Sequence, residues 1–275
     1  MHKNIFLASY PKSGNTWLRS IIGNFYNFEK EFSLNDLKSI PLLSIKKHFN
    51  EFQNKVYINN NELHFDWVSQ NIIKCQKILN NKLNHLNIFK THSVRHKNFT
   101  NETVNAGFIY IVRDPRDIIV SLKNFSGKEI DKTIDEFLFS KSLMITTNGA
   151  QELLSTWELN VQSWLNYTSV PRLIIKYEDL KLNPKEIILN IKEFLNKIHS
   201  SHINLNDKDI DKIVENTNFN NLKKLEDKNG FDEATIHSNF FRSGTSNQWK
   251  DVLTNTQINL IEKNLKSMMR YFNYI

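Results

Sequence analysis

The sequence is poor in cysteine and lacks a long hydrophobic run. Cys75 is the only cysteine among 275 residues, which excludes an internal disulfide and favours a reducing compartment. No stretch of about 18 consecutive apolar residues is present, so a transmembrane helix is not expected. The apolar run near the N-terminus is short and is interrupted by Pro11 and Lys12, unlike that of a signal peptide. These absences predict a cytoplasmic protein without a membrane span.

Arginine is scarce, although the chain is basic. The formal net charge is +7, and only seven of the 36 basic residues are arginine. Both nucleic acid and a small anion would suit such a charge. The basic residues are scattered, and zinc-finger and RNA-binding signatures are absent, which argues against nucleic acid. Because a guanidinium binds phosphate bidentately and an ammonium does not, the arginines are candidate anion ligands. They are Arg19, Arg95, Arg113, Arg116, Arg172, Arg242 and Arg270.

Metal-binding motifs and linkers are absent as well. His85, His92 and His96 lie near one another in sequence, but their spacing fits no standard zinc motif, and only one cysteine is available. No metal is therefore predicted. The chain has no low-complexity tract and no internal repeat, which predicts a single domain over residues 1–275.

Short apolar runs alternate with helical patterns along the chain. The runs at 5–8, 87–90, 108–112 and 173–176 have the length of buried strands. Helical patterns cover residues 16–25, 68–83, 116–125, 152–167, 184–198 and 256–272. This alternation predicts an α/β fold, in which helices flank a central, mainly parallel sheet. Residues 28–66, 93–106 and 228–239 are predicted to be irregular segments, which often carry substrate contacts.

The segment SYPKSGNTW follows the first predicted strand and precedes the first predicted helix. It lacks the G-x-x-x-x-G-K-[ST] spacing of nucleotide kinases. A strand-turn-helix nevertheless directs backbone N–H groups and the helix dipole towards an anion, and Gly14 permits a close approach. The density of donors favours anion binding over an ordinary Pro-Gly turn. The candidate ligands are Lys12, Ser13, Gly14, Asn15, Thr16 and Trp17.

The segment VRDPRD follows the predicted strand 108–112. Arg113 is expected at the carboxyl edge of the sheet, and Asp114 suits a helix cap. Ser121 lies two turns along the following helix, where it and Arg113 would flank one phosphate. An ion pair between Arg113 and Asp114 is the structural alternative. Arg116 and Asp117 are interpreted as a structural ion pair.

Two further segments carry candidate residues. In FKTHSV, Lys90 and His92 come at the end of a predicted strand, where a histidine suits a general base; a structural histidine is the alternative. In FFRSGTS, Arg242 and Gly244 suit phosphate binding, and a surface turn is the alternative.

Taken together, these segments resemble the PAPS-dependent sulfotransferase family. SYPKSGNTWL is similar to the family's 5′-phosphosulfate loop, YIVRDPRDIIVSL to its 3′-phosphate element and FKTHSV to its Lys-Thr-His segment. IIKYEDLKLNP resembles the Tyr-Glu-Asp segment, and FFRSGTSNQWKD resembles the C-terminal Arg-Lys-Gly region. These segments occur in the family's order between residues 5 and 251. Five motifs in order are a specific signal, although each alone is weak.

The resemblance implies a sulfuryl transfer from 3′-phosphoadenosine 5′-phosphosulfate (PAPS), with PAP as product and no metal. The acceptor would be a hydroxyl or amine of a small metabolite, natural product or glycan precursor. His92 would be the general base, Lys12 would contact the bridging oxygen, and Lys90 would assist. Ser13, Gly14, Asn15 and Thr16 would hold the 5′-phosphate, with Trp17 against adenine. The other donor-binding residues would be Arg113, Ser121, Tyr177, Thr217, Phe219, Leu222, Phe241, Arg242, Ser243 and Gly244.

The sequence departs from the family pattern at several positions. Ser243 stands where the family commonly has lysine, which removes one charge from the 3′-phosphate site. Asn247 and Gln248 replace the usual glycine and aspartate. Asn255 and Asn259 do not fit the family's dimer motif, so a monomer and a homodimer both remain open.

Two other functions remain open from the sequence. A small-molecule P-loop kinase would need a Walker-type Lys-Ser/Thr pair and an acidic metal ligand after a strand, where Arg113 stands instead. A non-catalytic sensor of PAP or another nucleotide would agree with Ser243, whereas Lys12 and His92 argue for catalysis.

Overall fold

A computed structural model describes residues 3–26, 31–49, 58–59, 62–63, 65–82, 87–140, 143–145, 151–198 and 203–275. Its strands are β1 (Asn4–Ser9), β2 (Ile58–Asn59), β3 (Glu62–Leu63), β4 (Ile88–Thr91), β5 (Asn105–Val112), β6 (Leu143–Ile145), β7 (Gln151–Leu153) and β8 (Arg172–Lys176). Its α-helices are α1 (Asn15–Tyr26), α2 (Lys46–Phe49), α3 (Phe65–Lys82), α4 (Pro115–Ser126), α5 (Ile130–Phe139), α6 (Trp157–Leu165), α7 (Tyr177–Leu182), α8 (Pro184–Ile198), α9 (Asp207–Asn216), α10 (Phe219–Asn229), α11 (Trp249–Val252) and α12 (Asn255–Tyr271). A 3-10 helix covers Leu34–Ser39.

Four parallel strands form the central sheet, in the order β4-β1-β5-β8. Phe6 of β1 lies in register with Phe89 of β4 and Phe108 of β5. Every residue of β1 is buried, as expected for a continuous apolar strand that is covered on both faces. The predicted α/β architecture with a mainly parallel sheet is confirmed.

Alternate side chains of the sheet enter two apolar layers. On one face, Phe6 packs edge-on against Trp164 of α6. On the other face, Ile5 and Ile109 belong to a cluster with Ile21 of α1. Burial of each such side chain contributes about 1.5–3 kcal/mol. This packing on both faces fixes the sheet and therefore the positions at which its strands end.

The predicted helix over 152–167 is wrong at its start. Gln151–Leu153 form β7, which pairs with β6 in an antiparallel ladder, and α6 begins only after it. The carboxylate of Glu152 accepts hydrogen bonds from the Thr91 hydroxyl at 2.6 Å and the His92 backbone N–H at 2.8 Å. These long-range contacts outweigh the local helical pattern.

The remaining predicted elements agree with the structure to within a few residues. Helices predicted over 16–25, 68–83, 116–125, 184–198 and 256–272 correspond to α1, α3, α4, α8 and α12, although residue 83 lies outside the described residues.

The segment predicted to be irregular over 28–66 contains the 3-10 helix, α2, β2, β3 and the start of α3. Of that segment, residues 28–30, 50–57, 60–61 and 64 lie outside the described residues, as does His85. In the other two irregular segments, β5 begins at Asn105 and α10 extends to Asn229. Five further helices were not predicted from the sequence, namely α5, α7, α9, α10 and α11.

Candidate active site

The loops after the four parallel strands meet at the carboxyl edge of the sheet. They line a cavity of about 970 Å³, at the edge where parallel sheets hold their ligands. The cavity brings together every residue predicted for catalysis or donor binding except Ser13. Ser13 is fully buried. The predicted residues, which are far apart in sequence, therefore share one site.

The loop between β1 and α1 has a backbone shape that suits an anion. Lys12 and Gly14 have positive φ angles of 66° and 104°, and a Cβ on Gly14 would lie 2.7 Å from the ring of Tyr177. The first N–H groups of α1 have no partner within the helix and lie at the positive end of its dipole. Ser13 Oγ and Trp17 Nε1 are buried polar atoms without a hydrogen-bond partner among the described residues. These groups fit a phosphate-bearing ligand.

Two side chains of this loop are engaged within the protein. Asn15 Nδ2 donates to Leu7 O at 3.1 Å and to Ser9 Oγ at 3.2 Å. The Thr16 hydroxyl donates to Glu233 Oε2 at 3.1 Å. In this geometry, the donors that Asn15 and Thr16 offer to an anion are their backbone N–H groups.

The ammonium of Lys12 lies between two aromatic rings. Its Nζ is 4.1 Å from the ring centroid of Phe125 and 4.2 Å from that of Phe240. Burial, opposed by Glu233 and assisted by Arg113, lowers the pKa of Lys12 to about 8. Lys12 is therefore mostly charged at neutral pH, in a position that stabilises negative charge in the cavity.

His92 is held in a defined tautomer at the end of β4. Its Nδ1 lies 2.9 Å from Ser9 O and 3.1 Å from Ser9 Oγ. Because a carbonyl oxygen only accepts, this contact places the proton on Nδ1 and leaves Nε2 as the basic nitrogen. Burial first, and then the charge of Lys90, lower the pKa of His92 to about 3. The imidazole is therefore neutral, with the lone pair of Nε2 unprotonated.

Arg113 crosses from β5 towards the loop of Lys12. It donates to Lys12 O at 3.2 Å and to Thr245 O at 3.0 Å, and its guanidinium lies 4.3 Å from the ring of Tyr177. Its Nε is buried without a hydrogen-bond partner among the described residues. Ser121 lines the same cavity. Asp117 Oδ2 lies 3.9 Å from Arg113 Nη2, and the unpartnered Nε suits a second anionic group, so the roles of Arg113 and Ser121 stay predictions.

The predicted ion pair between Arg116 and Asp117 is wrong. Arg116 pairs with Asp114 at 2.6 Å, and Asp114 also caps α4 by accepting from the Arg116 N–H at 2.9 Å. Asp117 accepts from the backbone N–H groups of Asn247 at 2.7 Å and Trp249 at 3.3 Å. The cap turns Asp114 towards the guanidinium and leaves Asp117 facing the C-terminal loop.

Aromatic residues form a further part of the cavity wall. The rings of Trp17 and Tyr177 meet edge-on, with centroids 5.7 Å apart. Gly244 has a φ of 62°, and a Cβ there would lie 2.2 Å from the Phe219 ring. Such a wall suits a flat heterocycle. The other residues that line this region are Thr217, Leu222, Phe241, Arg242 and Ser243.

Comparison with known proteins agrees with this geometry. A family model of the sulfotransferase domain matches residues 2–273. The chain belongs to the sulfotransferase family. Flavonol 3-sulfotransferase of Flaveria bidentis is 27% identical over 278 residues, covering 95% of this chain and 80% of that protein. Cytosolic sulfotransferase 13 of Arabidopsis thaliana is 26% identical over 271 residues, covering 97% and 76%.

A solved structure has the same fold as this sulfotransferase. The complex of retinol dehydratase with retinol and PAP superposes with a TM-score of 0.67 at 20% identity, covering 97% of this chain and 81% of that one. The likeness supports the P-loop-like arrangement of sheet and helices. In the described part of the sulfotransferase, no helix has the length and apolar character of a membrane span, and no group of three or more His, Cys, Asp or Glu forms a candidate metal site.

The sulfotransferase site contains two charged residues that the family resemblance did not assign to it. Glu233, from the segment predicted to be irregular, accepts from Arg19 at 2.5 Å and from Lys90 Nζ at 3.1 Å. Arg19 also donates to Leu37 O at 2.8 Å. The scarcity of arginine marked Arg19 as a candidate, whereas Glu233 had no comparable signal because its partners are distant in sequence.

Proposed function

We propose that this cavity transfers the sulfuryl group of PAPS to a hydroxyl or amine of a small-molecule acceptor, and that the sulfotransferase acts in the cytoplasm as one domain over residues 1–275. The observation that carries the proposal is the neutral His92, whose proton lies on Nδ1, in one cavity with Lys12 and Lys90. PAPS supplies an activated sulfuryl group on a phosphate leaving group. No metal is required in this proposal.

The residues of the chain divide the remaining work. His92 Nε2 takes the proton of the acceptor as the acceptor's oxygen or nitrogen attacks the sulfur atom of the sulfuryl group. Lys12 and the N-terminus of α1 stabilise the negative charge that develops on the phosphate oxygen. Lys90 lies next to the same loop and assists.

The donor is held from the β1–α1 loop to the aromatic part of the cavity wall. The loop receives the 5′ end, and Arg113 with Ser121 receives the 3′-phosphate. The exposed Arg242 donates to the side chain of Gln248, so Gln248 orients it beside the same phosphate. Tyr177 and Phe219 contact the adenosine. The relative named for flavonols makes phenolic natural products a reasonable first acceptor class.

The experiment is a transfer assay with sulfur-35-labelled PAPS and a panel of flavonols, simple phenols, alcohols and amines, with EDTA present. Sulfated product identified by mass spectrometry supports the proposal. A parallel reaction contains ATP and Mg²⁺ instead of PAPS, and phosphorylated product there supports the kinase. PAP binding without turnover of any acceptor in the panel supports the non-catalytic sensor.

A further inference from the structure

Glu233 joins two elements of the site, α1 and β4, through one carboxylate. Its Oε1 accepts from Arg19 Nη1 at 2.5 Å and Lys90 Nζ at 3.1 Å, and its Oε2 accepts from the Thr16 hydroxyl at 3.1 Å. Arg19 is itself fixed by a bond to Leu37 O on the 3-10 helix. The carboxylate therefore has three donors around it, and its position is determined by α1 and β4.

The balance of charge shows what this carboxylate does. The Lys90 and Arg19 side chains are 10% and 5% exposed, and Glu233 is 27% exposed. Two buried cations thus share one carboxylate, and its removal would leave both without compensation, which is costly in a protein interior. Burial lowers the pKa of Lys90, and Glu233 opposes that effect. Burial would raise the pKa of Glu233, but Lys90 and Arg19 outweigh it and hold that pKa well below its usual range.

We propose that Glu233, oriented by Arg19, is a positioning residue that keeps the ammonium of Lys90 charged and fixed beside His92. The inference rests on the proposed function, in which Lys90 assists transfer. A neutral Lys90 would be a weaker stabiliser of negative charge and would lose its ion pair.

The other titratable groups around Lys90 do not replace Glu233. Lys12 and Arg19 are cations, and His92 is neutral with a pKa near 3. Glu152 is already bound by Thr91 and the His92 N–H, and burial raises its pKa to about 7. Glu226 accepts from the backbone N–H groups of Phe240 and Phe241. Within the described part of the chain, Glu233 has the carboxylate that bonds to the Lys90 ammonium.

The first test measures the protonation of Lys90 directly. Protein labelled with nitrogen-15 at lysine Nζ is titrated with alkali by NMR, and the Lys90 signal is identified by its loss in Lys90→Arg. We expect Glu233→Gln to lower the midpoint of Lys90 by about one pH unit or more, and Glu233→Asp to restore part of it. The matched control is Asp232→Asn, because both side chains of the Asp232–Lys38 ion pair are exposed. This variant should leave the titration midpoint of Lys90 unchanged.

The second test measures transfer with the acceptor found in the panel. In Glu233→Gln, kcat should fall, and the high-pH limb of the pH dependence of kcat should move to lower pH together with the titration midpoint of Lys90. In Glu233→Asp, both kcat and the position of this limb should recover. PAP affinity, measured by calorimetry, is the acceptor-independent readout. An unchanged Lys90 midpoint together with tighter PAP binding would overturn the inference, since Glu233 would then be a competitor of the donor at Thr16. If the wild type transfers no sulfuryl group, the proposed function fails, while the NMR titration still decides the role of Glu233.

Discussion

His92 and His96 lie four positions apart but in opposite surroundings. His92 is buried, with Nδ1 bonded to Ser9 O. His96 is exposed, and its Nδ1 accepts from the backbone N–H of Asn98. At the scale of the residue, burial and one carbonyl oxygen convert an ordinary imidazole into a neutral base with a fixed tautomer.

Replacement of the base should abolish transfer without loss of donor binding. We expect His92→Ala to reduce kcat by at least about 100-fold, while the Kd for PAP measured by calorimetry stays within a few-fold. His96→Ala is the matched control and should retain wild-type turnover. Near-normal turnover in His92→Ala would contradict the role of general base.

The pKa of His92 also predicts the pH profile. The ring stays neutral above about pH 3, so its protonation should not reduce kcat between pH 5 and 7. A profile measured with labelled PAPS should therefore lack an acidic limb near 6.5, the ordinary pKa of histidine. A limb near 6.5 that disappears in His92→Ala would show that the ring titrates normally.

Arg113 offers a second prediction at the residue scale. Its guanidinium is buried beside Tyr177, and its Nε has no hydrogen-bond partner among the described residues. Loss of a charge-assisted contact of about 1.5–3 kcal/mol should weaken PAP binding about 10- to 100-fold in Arg113→Ala. Arg270, exposed on α12, is the control, and Arg270→Ala should bind PAP normally. Equal Kd values for both variants would remove Arg113 from the donor site.

At the scale of elements, two glycines lie in the irregular segment between α10 and α11. Gly230 and Gly244 both have positive φ angles, 70° and 62°. A Cβ on Gly230 would meet open space, whereas one on Gly244 would lie 2.2 Å from Phe219. Of these two glycines, Gly244 combines the backbone requirement with close contact to the cavity wall.

This difference gives a matched pair of alanine variants. Gly244→Ala should displace Phe219 and weaken PAP binding roughly tenfold, the size expected for overpacking by one methyl group. Gly230→Ala carries the strain of a positive φ without a contact to Phe219 and should leave PAP binding close to wild type. Calorimetry measures both, and equal losses in the two variants would indicate that strain rather than the Phe219 contact is responsible.

The helices and strands differ in how well the sequence predicts them. The four strands of the central sheet were predictable because each is a short apolar run, mostly buried except in the edge strand β8. Helices α1 and α4 were predictable from their turn and cap residues. The start of α6 was not, because Glu152 is held in β7 by Thr91 and His92 from another part of the chain. The side-chain hydrogen bonds of Asn15 to Leu7 O and Ser9 Oγ were not predicted either, because they depend on the position of α1 relative to the end of β1.

At the scale of the whole molecule, Arg116 connects parts of the chain that are distant in sequence. It pairs with Asp114 at the start of α4 and with Glu262 of α12 at 2.5 Å, and it donates to Tyr274 O. Its guanidinium also lies 3.8 Å from the Trp249 ring. These contacts attach the C-terminal helix to the edge of the site.

Removal of Arg116 should therefore destabilise the fold. Arg116→Ala leaves Asp114 buried without its partner, and we expect a loss of about 3–5 kcal/mol in the free energy of unfolding, measured by urea denaturation. The control is Lys128→Ala, because the pair of Lys128 with Glu136 is exposed and contributes at most about 1 kcal/mol. A loss below 1 kcal/mol in Arg116→Ala would show that the network is not structural.

The sequence by itself determined the α/β class and the family, and it predicted the anion-binding loop, because strand length, turn residues and motif order are local properties. It also supplied the candidate residues that the cavity brings together. Only the tertiary structure decided the tautomer of His92, the partner of Arg116 and the contact of Glu233 with Arg19 and Lys90. The tautomer of His92 and the contacts of Glu233 depend on distances between segments that lie far apart in sequence. The pairing of Arg116 with the neighbouring Asp114 depends on the cap of α4 and on the contacts of the guanidinium with the C-terminal part of the chain.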